Sequence, residues 1–171
     1  MTVVVGWISL IAVGLSALGG FTYALVVKLS PGLQYTTFVC HHKGDAAAQA
    51  RLLTMIFAQQ VKGNHFIDSD HLIDLDVLFL AVKSHVLNLC VYLTRETLER
   101  PWCLGEIVTA KKNGVPVLPI CAPSFTPPDE KWFAELEAEV DLSSLVPYDI
   151  SAEDVKGALL GILVYSTLLG N

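Results

Sequence analysis

The stretch 100-RPWCLGEIVTA-110 places a single acid, Glu106, in an otherwise apolar run, four residues after Trp102 and three after Cys103. A carboxylate there can serve in two ways. In the first turn of a helix opened by Pro101, the helix dipole favours it by about 0.3–1 kcal/mol. At the carboxyl rim of a parallel sheet, where α/β folds collect ligands, it is a ligand-binding group. Leu104, Ile107 and Val108 form the apolar stripe of such a helix, which turns Glu106 toward solvent or a cleft. Trp102 either plugs the domain surface or stacks on a flat heterocycle beside the carboxylate. The segment 40-CHHKGD-45 is a basic, glycine-containing loop with the composition to meet a phosphate, or simply to be solvated.

Other constellations carry less chemistry. The segment 68-DSDHLIDLD-76 has four aspartates but lacks the glycine and terminal Glu of an EF-hand, so it reads as a polar loop. The adjacent His41 and His42 have no carboxylate or CxxC partner at metal spacing, and no bound metal is expected. There is no GxGxxG, P-loop, HExxH or GxSxG motif. The net charge of −6 argues against a nucleic-acid partner. Cys40, Cys90, Cys103 and Cys121 follow no disulfide or metal spacing, which points to reduced thiols and a reducing compartment.

The elements that must position these residues begin after a distinct N-terminal segment. Charged residues make up only 16% of the chain, against about 25% in soluble domains. The run from Val3 to Val27 contains none, and about 20 such residues span a bilayer. Residues 1–29 are therefore expected to form one transmembrane helix, with Trp7 and Tyr23 near its ends and Lys28 placing the following domain in the cytosol or another reducing compartment. Residues 30–33 form a linker, and 34–171 a separate domain.

That domain alternates strand and helix patterns. Strands are expected at Tyr35–Cys40, His65–Ile67, Leu87–Leu93 and Val115–Cys121, with Val146-Pro147-Tyr148 as a short edge strand. Helices are expected at Asp45–Val61 (Leu52, Leu53, Ile56 and Phe57 on one face), Asp76–Ser84, Cys103–Lys112, Glu130–Val140 and from a Ser151–Asp154 capping box to about Leu169. Short connections make this an α/β fold with a parallel sheet.

The order of these pieces resembles a Toll/interleukin-1 receptor (TIR) domain over about residues 34–169. The resemblance rests on 38-FVCHHKGD-45, 66-FIDSDHL-72, 81-AVKSHVLNLCVYLT-94, 115-VPVLPI-120 and above all 102-WCLGEIVTA-110, which is similar to the W-C-x-x-E box of plant-type members. It implies a flavodoxin-like five-stranded parallel sheet of order 2-1-3-4-5, flanked by helices. It also implies two roles: an NAD-cleaving signalling enzyme of hydrolase or cyclase type, or a non-catalytic adaptor or accessory subunit in a membrane assembly. NAD would be a substrate rather than a cofactor, and partners would be a second copy, other TIR proteins or membrane proteins. In the enzymatic members the box acid is catalytic, which maps onto Glu106. Substrate contacts would come from Trp102, Lys43, His42 and Asp68. The chain departs from the family in the loop after the second strand, where Ile73-Asp74-Leu75-Asp76 lacks the usual glycine.

Overall fold

The computed structural model describes residues 34–67 and 75–169, all within a compact unit spanning Leu33–Asn171. The expected transmembrane run 3–27 and the candidate Asp68 lie outside the described residues. Among those described, no helix is long and apolar enough to cross a membrane.

Four parallel strands form one sheet in the order β2-β1-β3-β4. They are β1 (Tyr35–Cys40), β2 (His65–Ile67), β3 (Val86–Leu93) and β4 (Val117–Cys121). The helices are α1 (Lys43–Gln60), α2 (Leu75–Ser84), α3 (Arg95–Glu99), α4 (Pro101–Lys112), α5 (Glu130–Ala134), α6 (Leu136–Glu139) and α7 (Ala152–Leu169). β1 and β3 are the central strands, and their pairing sets Phe38 beside Leu89, Val39 beside Cys90 and Cys40 beside Val91. All six side chains are buried to within 1% of full exclusion. Their near-continuous apolar sequence is what a strand covered on both faces requires.

The two faces are covered unequally. Phe38, Cys40, Leu89, Val91 and Leu93 join the main core with α2, α4 and α7. Val39, Cys90 and Tyr92 pack with Ala46, Ala50, Leu53 and Phe57 of α1, together with Ile67, Ile120, Ala122 and Phe125. The expected α1 face is thus half right. Leu53 and Phe57 pack on the sheet, whereas Leu52 and Ile56 point outward at 57% and 44% exposure. The buried side includes the alanines, whose small side chains let the helix lie close to the strands.

Several expectations need correction. Among the described residues no fifth strand forms: Ser143–Tyr148, which includes Val146-Pro147-Tyr148, is a 3₁₀ segment. Its backbone bonds are local, Leu145 N to Leu142 O and Asp149 N to Val146 O, and Pro147 has no N–H to give a ladder. The expected helix Glu130–Val140 breaks at Glu135 into α5 and α6. Helix α3 arises where a loop was expected, capped by a Thr94–Thr97 box. The Ser151–Asp154 capping box does form: Asp154 Oδ2 accepts from Ser151 N at 2.9 Å, and Asp154 N donates to Ser151 Oγ at 3.2 Å. That backbone bond, together with Lys112, holds the Asp154 carboxyl at about 2.

Two glycines are required by geometry. Gly63 turns the chain into β2 at φ +123°, and a Cβ there would lie 1.8 Å from Thr36 Oγ1. Gly105 is the point at which α4 meets α2: a Cβ would sit 2.3 Å from Phe79 Cζ and 2.8 Å from Leu145 Cδ2. Phe79 is itself held edge-on by Tyr148 at 4.8 Å. Gly105→Ala is expected to lower stability by about 1–3 kcal/mol despite alanine's better helix propensity. Thermal melts of Gly105→Ala, alone and with Phe79→Leu to make room, check this. A single variant as stable as wild type would refute the close approach.

Candidate functional site

The residues singled out in the sequence gather at the carboxyl ends of β1 and β3. Between these strands the chain direction reverses across the sheet, since β2 follows β1 on one side and β4 follows β3 on the other; such a switch point is where open α/β sheets bind ligands. His42 is the N-cap of α1 and Lys43 its first residue, and both are half-buried. His42 Nδ1 lies 2.8 Å from Asp45 Oδ1. Burial raises the Asp45 carboxyl, but hydrogen bonds from Thr94 and His42 outweigh it and hold the group below its ordinary value. The loop after β1 is thereby tied to the loop after β3.

Helix α4 begins at Pro101, with Arg100 as its N-cap. Trp102 is half-buried in the first turn, and the Arg100 guanidinium carbon stands over its ring, 5.3 Å from the centroid. The cation covers one face of the platform that a flat heterocycle would use.

Glu106 is not where the sequence reading set it. It is the sixth residue of α4 and so lies in the second turn, beyond the reach of the first-turn dipole effect. Nor does it face solvent: it is only 4% exposed. The reason is that α4 is buried on every side. Gly105 abuts α2 and the 3₁₀ segment, Val108 lies along α7, and Leu104 and Ile107 join the main core. The remaining face, carrying Cys103 and Glu106 one turn apart, meets the end of β1.

There the structure brings together groups the sequence reading kept separate. Cys103 Sγ donates to the His41 carbonyl at 3.3 Å. The Cys40 thiol lies beside both Cys103 and Glu106. His41 is 6% exposed, with Nδ1 3.3 Å from the Val39 carbonyl. Burial, then Cys103 and Glu106, push the Cys40 thiol well above its ordinary value. The sequence did contain signals for this: Cys40 closes the central strand, and the i, i+3 spacing of Cys103 and Glu106 puts both on one helical face. Among the described residues no three His, Cys, Asp or Glu side chains converge with metal-binding geometry.

Comparison with known proteins is consistent with this geometry. No protein-family model matches the chain, and no curated protein matches it. A solved structure does: the TIR domains of the activated Roq1 resistosome, which directly recognises the pathogen effector XopQ. The TM-score is 0.51 at 16% identity, over 75% of this chain and 82% of that one. The fold is TIR-like. Within it, the box 102-WCLGEIVTA-110 is α4, and the acid of the box is the buried Glu106. The fourth strand ends the sheet here, so the expected 2-1-3-4-5 order stops at its fourth member.

All four thiols are free, and their environments differ. Cys40, Cys90 and Cys103 are buried, Cys90 being pushed up to about 12 by its burial, whereas Cys121 is exposed. A native-state titration with an Ellman-type reagent should therefore modify Cys121 rapidly and the other three only on unfolding. Rapid labelling of Cys40 or Cys103 in the folded protein would contradict their placement.

Proposed function

We propose that the chain is a membrane-anchored TIR-type signalling protein that cleaves NAD at the nicotinamide N-glycosidic bond, with Glu106 as the catalytic carboxylate. The observation that carries this reading is the burial of Glu106 at the carboxyl rim of β1. Removing a carboxylate from water costs several kcal/mol, so a carboxylate buried at a ligand-collecting rim is a functional candidate. Trp102 supplies a ring at the same end of α4, and His42 and Lys43 supply nitrogen donors at the neighbouring loop.

The chemistry follows from the bond. When the C–N bond to ribose breaks, its electron pair leaves with nicotinamide, which departs neutral, and positive charge develops on the sugar. The leaving group is already cationic before cleavage, so no general acid is needed. A carboxylate in a water-poor setting holds the ribose hydroxyls and opposes the oxocarbenium-like charge. Water then adds to the sugar and loses a proton, giving ADP-ribose, nicotinamide and H⁺; attack by a group of the same molecule would give a cyclic product instead.

Residues 3–27 would anchor the protein to a membrane. Alkaline extraction should leave the full chain in the membrane pellet, and its release into the supernatant would remove the anchor from this reading.

A second reading, a non-catalytic adaptor or subunit that acts by self-association, is supported by the outward ridge of α1. Leu52, Met55 and Ile56 are 57%, 61% and 44% exposed there. The two readings part on one assay, nicotinamide release from NAD by the full chain at high protein density on membranes. Glu106→Gln should reduce turnover by about 10²–10³ with little change in substrate binding. A thermal melt of the variant separates loss of a catalytic charge from loss of the fold. Equal turnover by Glu106→Gln would end the catalytic assignment, and an inert wild type would favour the adaptor.

A further inference from the structure

We propose that the cleft of about 290 Å³ between the second half of α4, the amino end of β4 and α7 binds a small monocarboxylate with an apolar body, such as a medium-chain fatty acid, its carboxylate pairing with Lys111. The cleft is remote from the candidate site above. Helix α4 leads through Gly114 into the amino end of β4, and in a parallel sheet that is the edge opposite the one bearing His42 and Lys43. The proposal rests on neither the NAD-cleaving nor the adaptor reading.

The walls of the cleft are hydrocarbon. Ile107 of α4 and Ala158 and Ile162 of α7 are buried, and Val115 and Val117 are half-buried. Lys111 is the only polar side chain in the lining. A sugar or a nucleotide would give up many hydrogen bonds to water there and recover few. An apolar chain loses nothing by the same transfer. The volume stands at the lower end of small-molecule pockets, which run from about 300 to 1,000 Å³. The ligand is therefore short.

Lys111 sets its charge. The ammonium donates to the Gly157 carbonyl, which accepts the bond but neutralises no charge. Glu153 and Asp154 border the adjoining cleft on the other side of Lys111, and both are engaged elsewhere. Asp154 Oδ2 lies 3.0 Å from Lys112 Nζ, and Glu153 Oε1 lies 3.4 Å from Lys156 Nζ. One uncompensated cation beside apolar walls matches one negative charge. A phosphate monoester would bring a second charge against hydrocarbon with no partner for it. A carboxylate brings one.

The open floor has its own signature. Gly157 and Gly161 stand inside α7, where glycine weakens a helix. Packing within the described chain does not require them: a Cβ at either position would meet only Lys111 Nζ, at 3.9 and 3.6 Å, an ordinary contact. Gly161 lines the cleft, and its missing side chain keeps space open beside the ammonium.

The test is photolabelling of the full chain in native membranes with an octanoate bearing a diazirine at its chain end, read by mass spectrometry of the peptides. Label is expected on the turn from α4 into β4 and on α7, and excess octanoate should compete it away. The uncharged methyl ester of the probe should label these peptides weakly. Lys111→Gln should reduce labelling about tenfold, the loss of one hydrogen bond between charged groups, and Lys111→Arg, which keeps the cation, should retain it. Gly161→Leu should block the cleft while leaving the thermal melt no lower than wild type. Equal labelling in Lys111→Gln, equal labelling by the methyl ester, or no label on these peptides overturns the proposal. So does cross-linking of α7 to another protein chain that Gly161→Leu abolishes, since the cleft is then a protein interface. None of these outcomes bears on NAD cleavage, which is assayed separately.

Discussion

From Cys103 to Ala110, every residue of α4 is buried. A surface helix has one face for the core and one for water; here the sheet, α2, α7 and the 3₁₀ segment leave no water-facing side over two turns. Much of the fold depends on this. Leu104, Ile107 and Val108 each contribute roughly 1.5–3 kcal/mol by burial, and their positions fix where α2 and α7 lie. Gly105 is the residue that lets Phe79 and Leu145 approach, so the spacing of α2 from α4 is set by a missing side chain. With those faces filled, an acid at 106 can only go inward, toward β1.

The result is a buried carboxylate that lies near two thiols, Cys40 and Cys103, at the end of β1. Thiols occupy less space than other donors and bring no charge of their own while protonated, so they permit close packing around an anion at the cost of weak hydrogen bonds. The same burial that makes the site costly for the fold makes its electrostatics strong, because low local dielectric magnifies any charge that develops beside it.

What the sequence made legible follows from the range of each signal. Strands β1 and β3 announce themselves by continuous apolar runs, and the Ser151–Asp154 cap by local spacing. Both features depend on neighbours in the chain. The burial of Glu106 depends on elements distant in the chain, with β1 some sixty residues away, and no local pattern encodes that packing; the second-turn position alone was readable from Pro101 at N1. The α1 face was misread because large apolar residues were counted and alanines were not. Ala46 and Ala50 touch the sheet because they are small, while Leu52 and Ile56 point outward. At Val146-Pro147-Tyr148, apolar content suggested a strand, but Pro147 and the local turn bonds decided for 3₁₀.

With no fifth strand among the described residues, β4 is an outer edge of the described sheet, and its proline, Pro119, then acquires a meaning. In the β3–β4 register, Leu89 accepts β4 as its neighbour at Val117, and the ladder runs from Pro116 O to Ala122 N. Parallel pairing alternates the direction of successive N–H groups, so Leu118, Ile120 and Ala122 donate inward and Val117, Pro119 and Cys121 present their nitrogens outward. Pro119 therefore costs the ladder no bond, and it removes the middle of three outward donors. An edge so interrupted is a poor template for adding another strand. Association between copies of this domain would accordingly fall to its helices, where Leu52, Met55 and Ile56 of α1 stand exposed, rather than to continuation of the sheet. The β4 edge is thus exposed without being adhesive.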